Sequence, residues 1–202
     1  MSFITQVTIS IVTYFIIRFS VKGENSLYLS AIISSGIYIG AYLYIYDYIK
    51  FLPTVHFIAA GLCLLFLFIA YCEIVILERN IKKIKTGNLI DINEFSIEKN
   101  YRIVFYLLGI GLSFLTIALV SGFSIQSNIS SNLLLKSVFT VIAWVVYLLS
   151  LIIMRYFNLS IKFATRGMLV SMIAVLIAYI GNSYIVYNLS LIHISEPTRP
   201  LD

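Results

Sequence analysis

Long apolar runs, separated by short polar stretches, dominate the chain. Six of these runs come close to the roughly 20 residues that an α-helix needs to cross the hydrocarbon core of a bilayer. They cover residues 3–19, 27–46, 55–77, 103–121, 133–154 and 168–187. None shows the alternation of apolar and polar positions that is typical of a membrane β-strand. The pattern therefore predicts an all-α fold, a polytopic transmembrane bundle of six helices.

Composition agrees with the pattern and removes one class of partner. Apolar residues make up 60% of the 202 residues and charged residues only 11%, whereas soluble domains average about 45–50% and 25%. Most of the surface should therefore contact membrane lipid. The net charge of +5 comes from short basic clusters between the apolar runs. Nucleic acid would need one continuous basic face with interleaved aromatic residues, so we expect no nucleic-acid partner.

The basic residues also predict how the chain is oriented. Eleven fall in the connections on one side of the predicted bundle: Arg18, Lys22, Arg79, Lys82, Lys83, Lys85, Lys99, Arg102, Arg155, Lys162 and Arg166. The other side has Lys50, Lys136 and Arg199. Because basic loops stay in the cytoplasm, the eleven-residue side is predicted to be cytoplasmic and both ends of the chain to face outward.

The two ends of the sequence predict a fragment. Residues 189–199, LSLIHISEPTR, can be reverse-translated into eleven codons that resemble the transposon-end adapter of sequencing libraries. We therefore interpret residues 189–202 as translated adapter and leave His193 out of functional reasoning. The native part is expected to be one domain, residues 1–188. Its first apolar run begins almost at Met1 without a signal-peptide pattern, so we expect further helices upstream.

His56 is then the one natural histidine, and it is the leading candidate for chemistry. It lies in LPTVHFIAAG, at the predicted outward end of the third run. An ionisable residue inside a membrane segment is costly and often functional, and imidazole is a common haem ligand. The alternative is an interfacial histidine whose ring lies at the level of the lipid headgroups.

Other polar and aromatic positions admit simpler interpretations. Glu73 lies roughly 25 Å along the helix from His56, and we expect it and Arg18 to extend toward the cytoplasmic surface. Trp144 and Tyr147 share one helix face because they are three residues apart. They either pack against other helices or line a flat cofactor between helices.

No pattern typical of a soluble enzyme is present. The sequence has no glycine-rich phosphate loop, no paired catalytic carboxylates and no Cys/His cluster, so we expect no enzymatic activity. Cys63 and Cys72 are nine residues apart, which places them on opposite sides of a helix, where they cannot bond to each other.

Four stretches resemble the cytochrome c assembly protein family, whose members are polytopic membrane proteins that handle haem. They are TVHFIAAGLCLLFLFIAYC, EFSIEKNYRIVFYLLGIGLSFLTIALVSGF, KSVFTVIAWVVY and RGMLVSMIAVLIAYIGNS. The resemblance is closer to the YpjD-like and HemX-like branch than to the CcsA-like haem lyase. It implies a bacterial inner-membrane protein of cytochrome c-type biogenesis or haem supply, with other maturation proteins as partners. It also implies that His56 ligates haem on the outward side, with Trp144 and Tyr147 lining the site.

The sequence departs from the lyase pattern at three places. The outward loop GFSIQSNISSNLLLK has no tryptophan. Residues 152–154 stand where the family often has a histidine, and residues 181–183 stand where the lyase branch has a second outward histidine. The resemblance therefore implies a single histidine ligand, His56, rather than two. The alternatives are a non-catalytic membrane scaffold that binds no haem and a small-solute permease. The permease is less favoured because no broken helices are evident.

Overall fold

Helices account for nearly all of the structure that can be described. The computed structural model describes residues 3–21, 26–45, 51–86, 97–125, 131–156 and 161–181. Within these ranges there are six α-helices: α1 (Phe3–Ser20), α2 (Ser26–Ile45), α3 (Phe51–Lys85), α4 (Ile97–Ile125), α5 (Ser131–Tyr156) and α6 (Ile161–Leu176). The last helix continues as a π-helical turn, Ile177–Gly181. The all-α prediction is confirmed. The predicted adapter segment lies outside the described residues.

Five of the six helices, α2 to α6, are long and apolar enough to cross a membrane. The α6 span includes part of the π-helical turn and covers Ile161–Tyr179, 19 residues. The apolar stretch of the first helix, Ile4–Ser20, is shorter. Large apolar side chains such as Ile32, Val120 and Phe163 are more than half exposed on the outside of the bundle. A water-soluble protein would bury most side chains of this kind in its core. The fold therefore fits a multi-pass membrane protein whose outer surface contacts lipid.

Helix α3 is the centre of the bundle. It packs against α1, α2, α4 and α6, and its middle residues Leu65, Leu67 and Ile69 are fully buried. A helix with neighbours on every side must be apolar all round, which explains its uninterrupted apolar sequence. Its 35 residues extend about 52 Å, well beyond the roughly 30 Å of a hydrocarbon core.

The extra length of α3 was not predicted from hydropathy. The predicted run ended at residue 77, whereas the helix continues to Lys85. Residues 78–85, ERNIKKIK, are mostly good helix formers, so they prolong the helix although they are too polar for lipid. Lys82, Lys83 and Lys85 lie in its last turns, where their positive charges interact favourably with the negative, C-terminal end of the helix dipole.

A glycine allows α2 to approach α3 closely. The ring of Tyr38 lies directly over Gly61, where any added Cβ would overlap with the tyrosine hydroxyl. Tyr38 is fully buried, and its hydroxyl donates a hydrogen bond to the carbonyl of Phe57, 3.0 Å away. Because Gly61 has no side chain to cover the carbonyl one turn earlier, that oxygen can accept a second hydrogen bond from a neighbouring helix.

Candidate functional site

The His56 imidazole is held against the backbone of α4. The ring lies in the second turn of α3 and is half-buried. Its Nδ1 atom is 2.8 Å from the carbonyl oxygen of Ala118 and 3.3 Å from the Ser121 hydroxyl. A carbonyl oxygen can only accept, so Nδ1 carries the proton and donates it. In a neutral imidazole this leaves the lone pair on Nε2.

Small residues on α4 make this contact possible. A Cβ added at Gly122 would lie 3.1 Å from Cε1 of His56 and 3.4 Å from its Nδ1. The Ser121 hydroxyl turns back onto its own helix and donates to the Ile117 carbonyl, 2.7 Å away. The same hydroxyl lies 3.1 Å from the Ala118 carbonyl oxygen, so Ser121 and the His56 imidazole share that acceptor. No local pattern in the sequence indicates that these residues of α4 receive His56.

The geometry of His56 fits a metal-ligating histidine. Such histidines commonly donate from one ring nitrogen to a backbone carbonyl, which fixes the tautomer and the ring orientation while the other nitrogen binds the metal. Ala118 supplies that carbonyl here. The ring would therefore supply Nε2 as a ligand atom if a haem iron were bound here.

Trp144 reaches α4 on a different side from His56. Its Nε1 donates to the Thr116 hydroxyl over 2.9 Å. Thr116 and Ala118 are two residues apart, which separates them by about 200° around the helix axis. The exposed Thr116 and the buried Ala118 accordingly belong to opposite faces of α4. Trp144 joins α5 to α4 and is not placed against the His56 ring.

Tyr147 lies deeper in the bundle than either residue. It is fully buried, and its hydroxyl donates to the carbonyl of Leu108 over 2.8 Å. A Cβ added at Gly111 would lie 2.7 Å from this hydroxyl. Leu108 is ten residues from Ala118, so the two contacts are about 15 Å apart along α4. Tyr147 therefore locks α5 onto α4 at a distance from His56, and its role toward a cofactor stays a prediction.

The structure describes no multi-ligand metal site. Among the described residues no three His, Cys, Asp or Glu side chains are grouped in a way that would hold a metal ion. Cys63 and Cys72 are both free thiols, as their spacing predicted.

A buried ion pair between α1 and α3 was not predicted from the sequence. Glu73 is only 5% exposed, and its Oε1 accepts from the Tyr14 hydroxyl over 2.5 Å and from Arg18 Nε over 3.0 Å. The Arg18 guanidinium also donates to the Ser26 hydroxyl over 2.7 Å. The prediction that Glu73 extends to the surface is therefore wrong, because a partner on another helix offsets the cost of burying its charge.

The spacing of the polar residues on α1 was the sequence pattern that could have indicated this ion pair. Tyr14 and Arg18 are four residues apart and so lie on one helix face, and that face turns toward Glu73.

Comparisons of this chain with protein-family models, with curated proteins and with solved structures find no significant match.

Proposed function

We propose that this protein handles haem at the outward side of the membrane, with the His56 imidazole as its protein ligand. The observation that carries the proposal is the hydrogen bond from His56 Nδ1 to the Ala118 carbonyl. It holds the ring in one orientation and leaves Nε2 as the donor atom. The resemblance of residues 54–72 and their neighbours to the cytochrome c assembly family supports the same role.

Each residue of the site has a separate task in this proposal. His56 supplies the ligand atom, the Ala118 carbonyl keeps the proton on Nδ1, and the absence of a side chain at Gly122 lets the ring approach α4. Haem is the cargo that the protein would present for cytochrome maturation or use to report haem supply. The membrane lipid around the helices would keep water from the hydrophobic part of the macrocycle.

The test compares three versions of the purified protein after expression with ample haem. Wild type should show a Soret band, His56→Ala should lose it, and Phe51→Ala should keep it. Phe51 is the matched control because it is a ring-bearing residue on the same helix and is 64% exposed. Thermal unfolding of His56→Ala should show that the loss does not come from misfolding.

Two results would contradict the proposal. A Soret band of unchanged position and intensity in His56→Ala would place the haem elsewhere. Wild-type protein without any Soret band would favour the membrane scaffold that binds no haem.

A further inference from the structure

A crevice opens to the outside of the bundle between α1 and α6, and α3 forms its floor. Its lining includes Ile4, Thr8, Leu64, Phe68, Met172 and Leu176. Helix α1 packs against α2 and α3, whereas α6 packs against α3 and α5. The space that remains between α1 and α6 has a volume of about 140 Å³. Side chains around an unfilled gap lose dispersion contacts, so an occupant of matching chemistry would stabilise the bundle.

The crevice is elongated and lies in one half of the bundle. Its lining extends over residues 4–11 of α1 and over residues 172–179 of α6 and its π-helical turn. Each of these stretches covers about 10 Å along the helix axis, roughly a third of the hydrocarbon thickness of a bilayer. They are the first turns of α1 and the last turns of α6, which face outward if the basic end is cytoplasmic. The crevice then lies at the depth of the outer leaflet.

The chemistry of the lining excludes water as the stable occupant. Among the residues of the lining only Thr8 and Tyr179 carry a hydroxyl group, and the Thr8 hydroxyl donates to the Ile4 carbonyl of its own helix, 2.8 Å away. A water molecule needs two to four polar partners, and an apolar cavity of about 150 Å³ stays dry and takes up small apolar molecules instead. The crevice is therefore suited to hydrocarbon.

The rim of the crevice is continuous with the surface that contacts lipid. Ile4 is 61% exposed, and Ile173 and Ile177, which follow the lining residues Met172 and Leu176 in the sequence, are 45% and 54% exposed. An α-helix with its side chains is about 10 Å across, so a helix from a second copy could cover the crevice but not enter it. A single flexible hydrocarbon chain can enter it from the surrounding bilayer.

We propose that the crevice binds one acyl chain of an outer-leaflet phospholipid, which stays with the protein and links α1 to α6. The second acyl chain of the same lipid remains in the bilayer. Arg18, in the last turn of α1, is tied to Glu73 on α3 by the buried ion pair. The bound chain supplies the corresponding attachment for the first turns of α1, through van der Waals contact rather than charge.

The experiment counts phospholipids that remain on the detergent-purified full chain, by mass spectrometry under conditions that preserve non-covalent complexes. The protein is loaded with dioleoyl phosphatidylglycerol and then washed with detergent. It is used without haem, so the result is separate from the test of the proposed function. Wild type should retain one phospholipid per chain. Thr8→Phe should lose it, because the larger side chain fills the crevice.

Thr13→Phe is the matched control. Thr13 is on the same helix and donates to the Ile9 carbonyl as Thr8 does to that of Ile4, but it does not line the crevice. This variant should retain the phospholipid as wild type does. Added phospholipid should raise the unfolding temperature of wild type and Thr13→Phe, because a ligand that binds the folded state stabilises it. It should leave that of Thr8→Phe unchanged.

Leu176→Phe fills the crevice from α6, so the test does not depend on the folding of one variant. Size-exclusion profiles check that both filled variants are folded. Equal phospholipid retention by wild type and the filled variants would overturn the proposal, because the lipid would then lie elsewhere. A wild-type protein that carries no phospholipid and is measured as a dimer would also overturn it, and would identify a second copy as the cover of the crevice.

Discussion

Individual contacts in this bundle follow one recurring arrangement. A ring-bearing side chain lies over a glycine of the neighbouring helix and donates to a carbonyl three or four residues before that glycine. The three instances are Tyr38 on Gly61, Tyr147 on Gly111 and His56 on Gly122. Van der Waals contact and interhelical hydrogen bonds drive helix association in lipid, and this arrangement supplies both at one point.

Gly61→Ala should destabilise the protein by about 1–3 kcal/mol, since its Cβ would overlap with a fully buried tyrosine that must then shift and lose its bond to Phe57. Gly109→Ala is the matched control, because nothing lies within 4 Å of its added Cβ. That variant should be neutral or slightly stabilised. Thermal unfolding in one detergent measures both. Equal effects from the two substitutions would contradict the close contact.

Tyr147→Phe should lower the free energy of unfolding by about 1 kcal/mol, because it removes the hydrogen bond to Leu108. Tyr106→Phe, at a tyrosine that is 58% exposed, should change little. We expect the Soret band of Tyr147→Phe to match that of wild type, since Tyr147 contacts α4 about 15 Å from the His56 contact. A shifted band would support the predicted lining role instead.

At the scale of helices, hydropathy predicted that six helices exist but not which side chains make the contacts between them. Apolar runs reveal a helix that must satisfy its own backbone in lipid, so the number and class of elements followed from the sequence. The Arg18–Glu73 pair joins residues 55 positions apart, and no local pattern specifies which helix a polar face will meet. The contact of His56 with α4 was hidden for the same reason.

Arg18→Met should destabilise the protein by about 3–5 kcal/mol, because it leaves the buried Glu73 carboxylate without its cation. The exposed pair Glu98–Arg102 supplies the control, since surface ion pairs contribute little. Arg102→Met should therefore leave the unfolding midpoint almost unchanged. A double-mutant cycle with Glu73→Gln isolates the coupling between the two side chains. A coupling near zero would show that the pair does not hold α1 to α3.

For the whole molecule, the fold places the candidate haem ligand and the basic residues of α3 at opposite ends of that helix. His56 and Gly122 meet near one end of the bundle, while Lys82, Lys83 and Lys85 extend from the opposite end of α3. If the basic end is cytoplasmic, the candidate haem ligand faces outward and Glu73 lies toward the cytoplasm. The positions of residues in the sequence sufficed for this inference, whereas the orientation of the His56 ring required the fold.

Single cysteines placed in a cysteine-free background test this orientation. A cysteine at the exposed Lys83 position should react with a membrane-impermeant maleimide only after the cells are opened. A cysteine at Ser124, which is exposed near the C-terminal end of α4, should react in intact cells. Labelling of Lys83→Cys in intact cells would show that the orientation is the reverse of the predicted one and that His56 lies on the cytoplasmic side.

The measurement that tests the haem proposal most directly is a titration of the purified wild-type protein with haem, followed by absorbance. Binding through the Nε2 atom of His56 predicts a saturable Soret band at one haem per chain, with a spectrum distinct from that of haem in the same detergent. Added imidazole should restore a ligated-haem spectrum to His56→Ala if the rest of the site is intact. A wild-type titration identical to that of detergent alone would contradict the account and leave the protein as a membrane bundle that binds no haem.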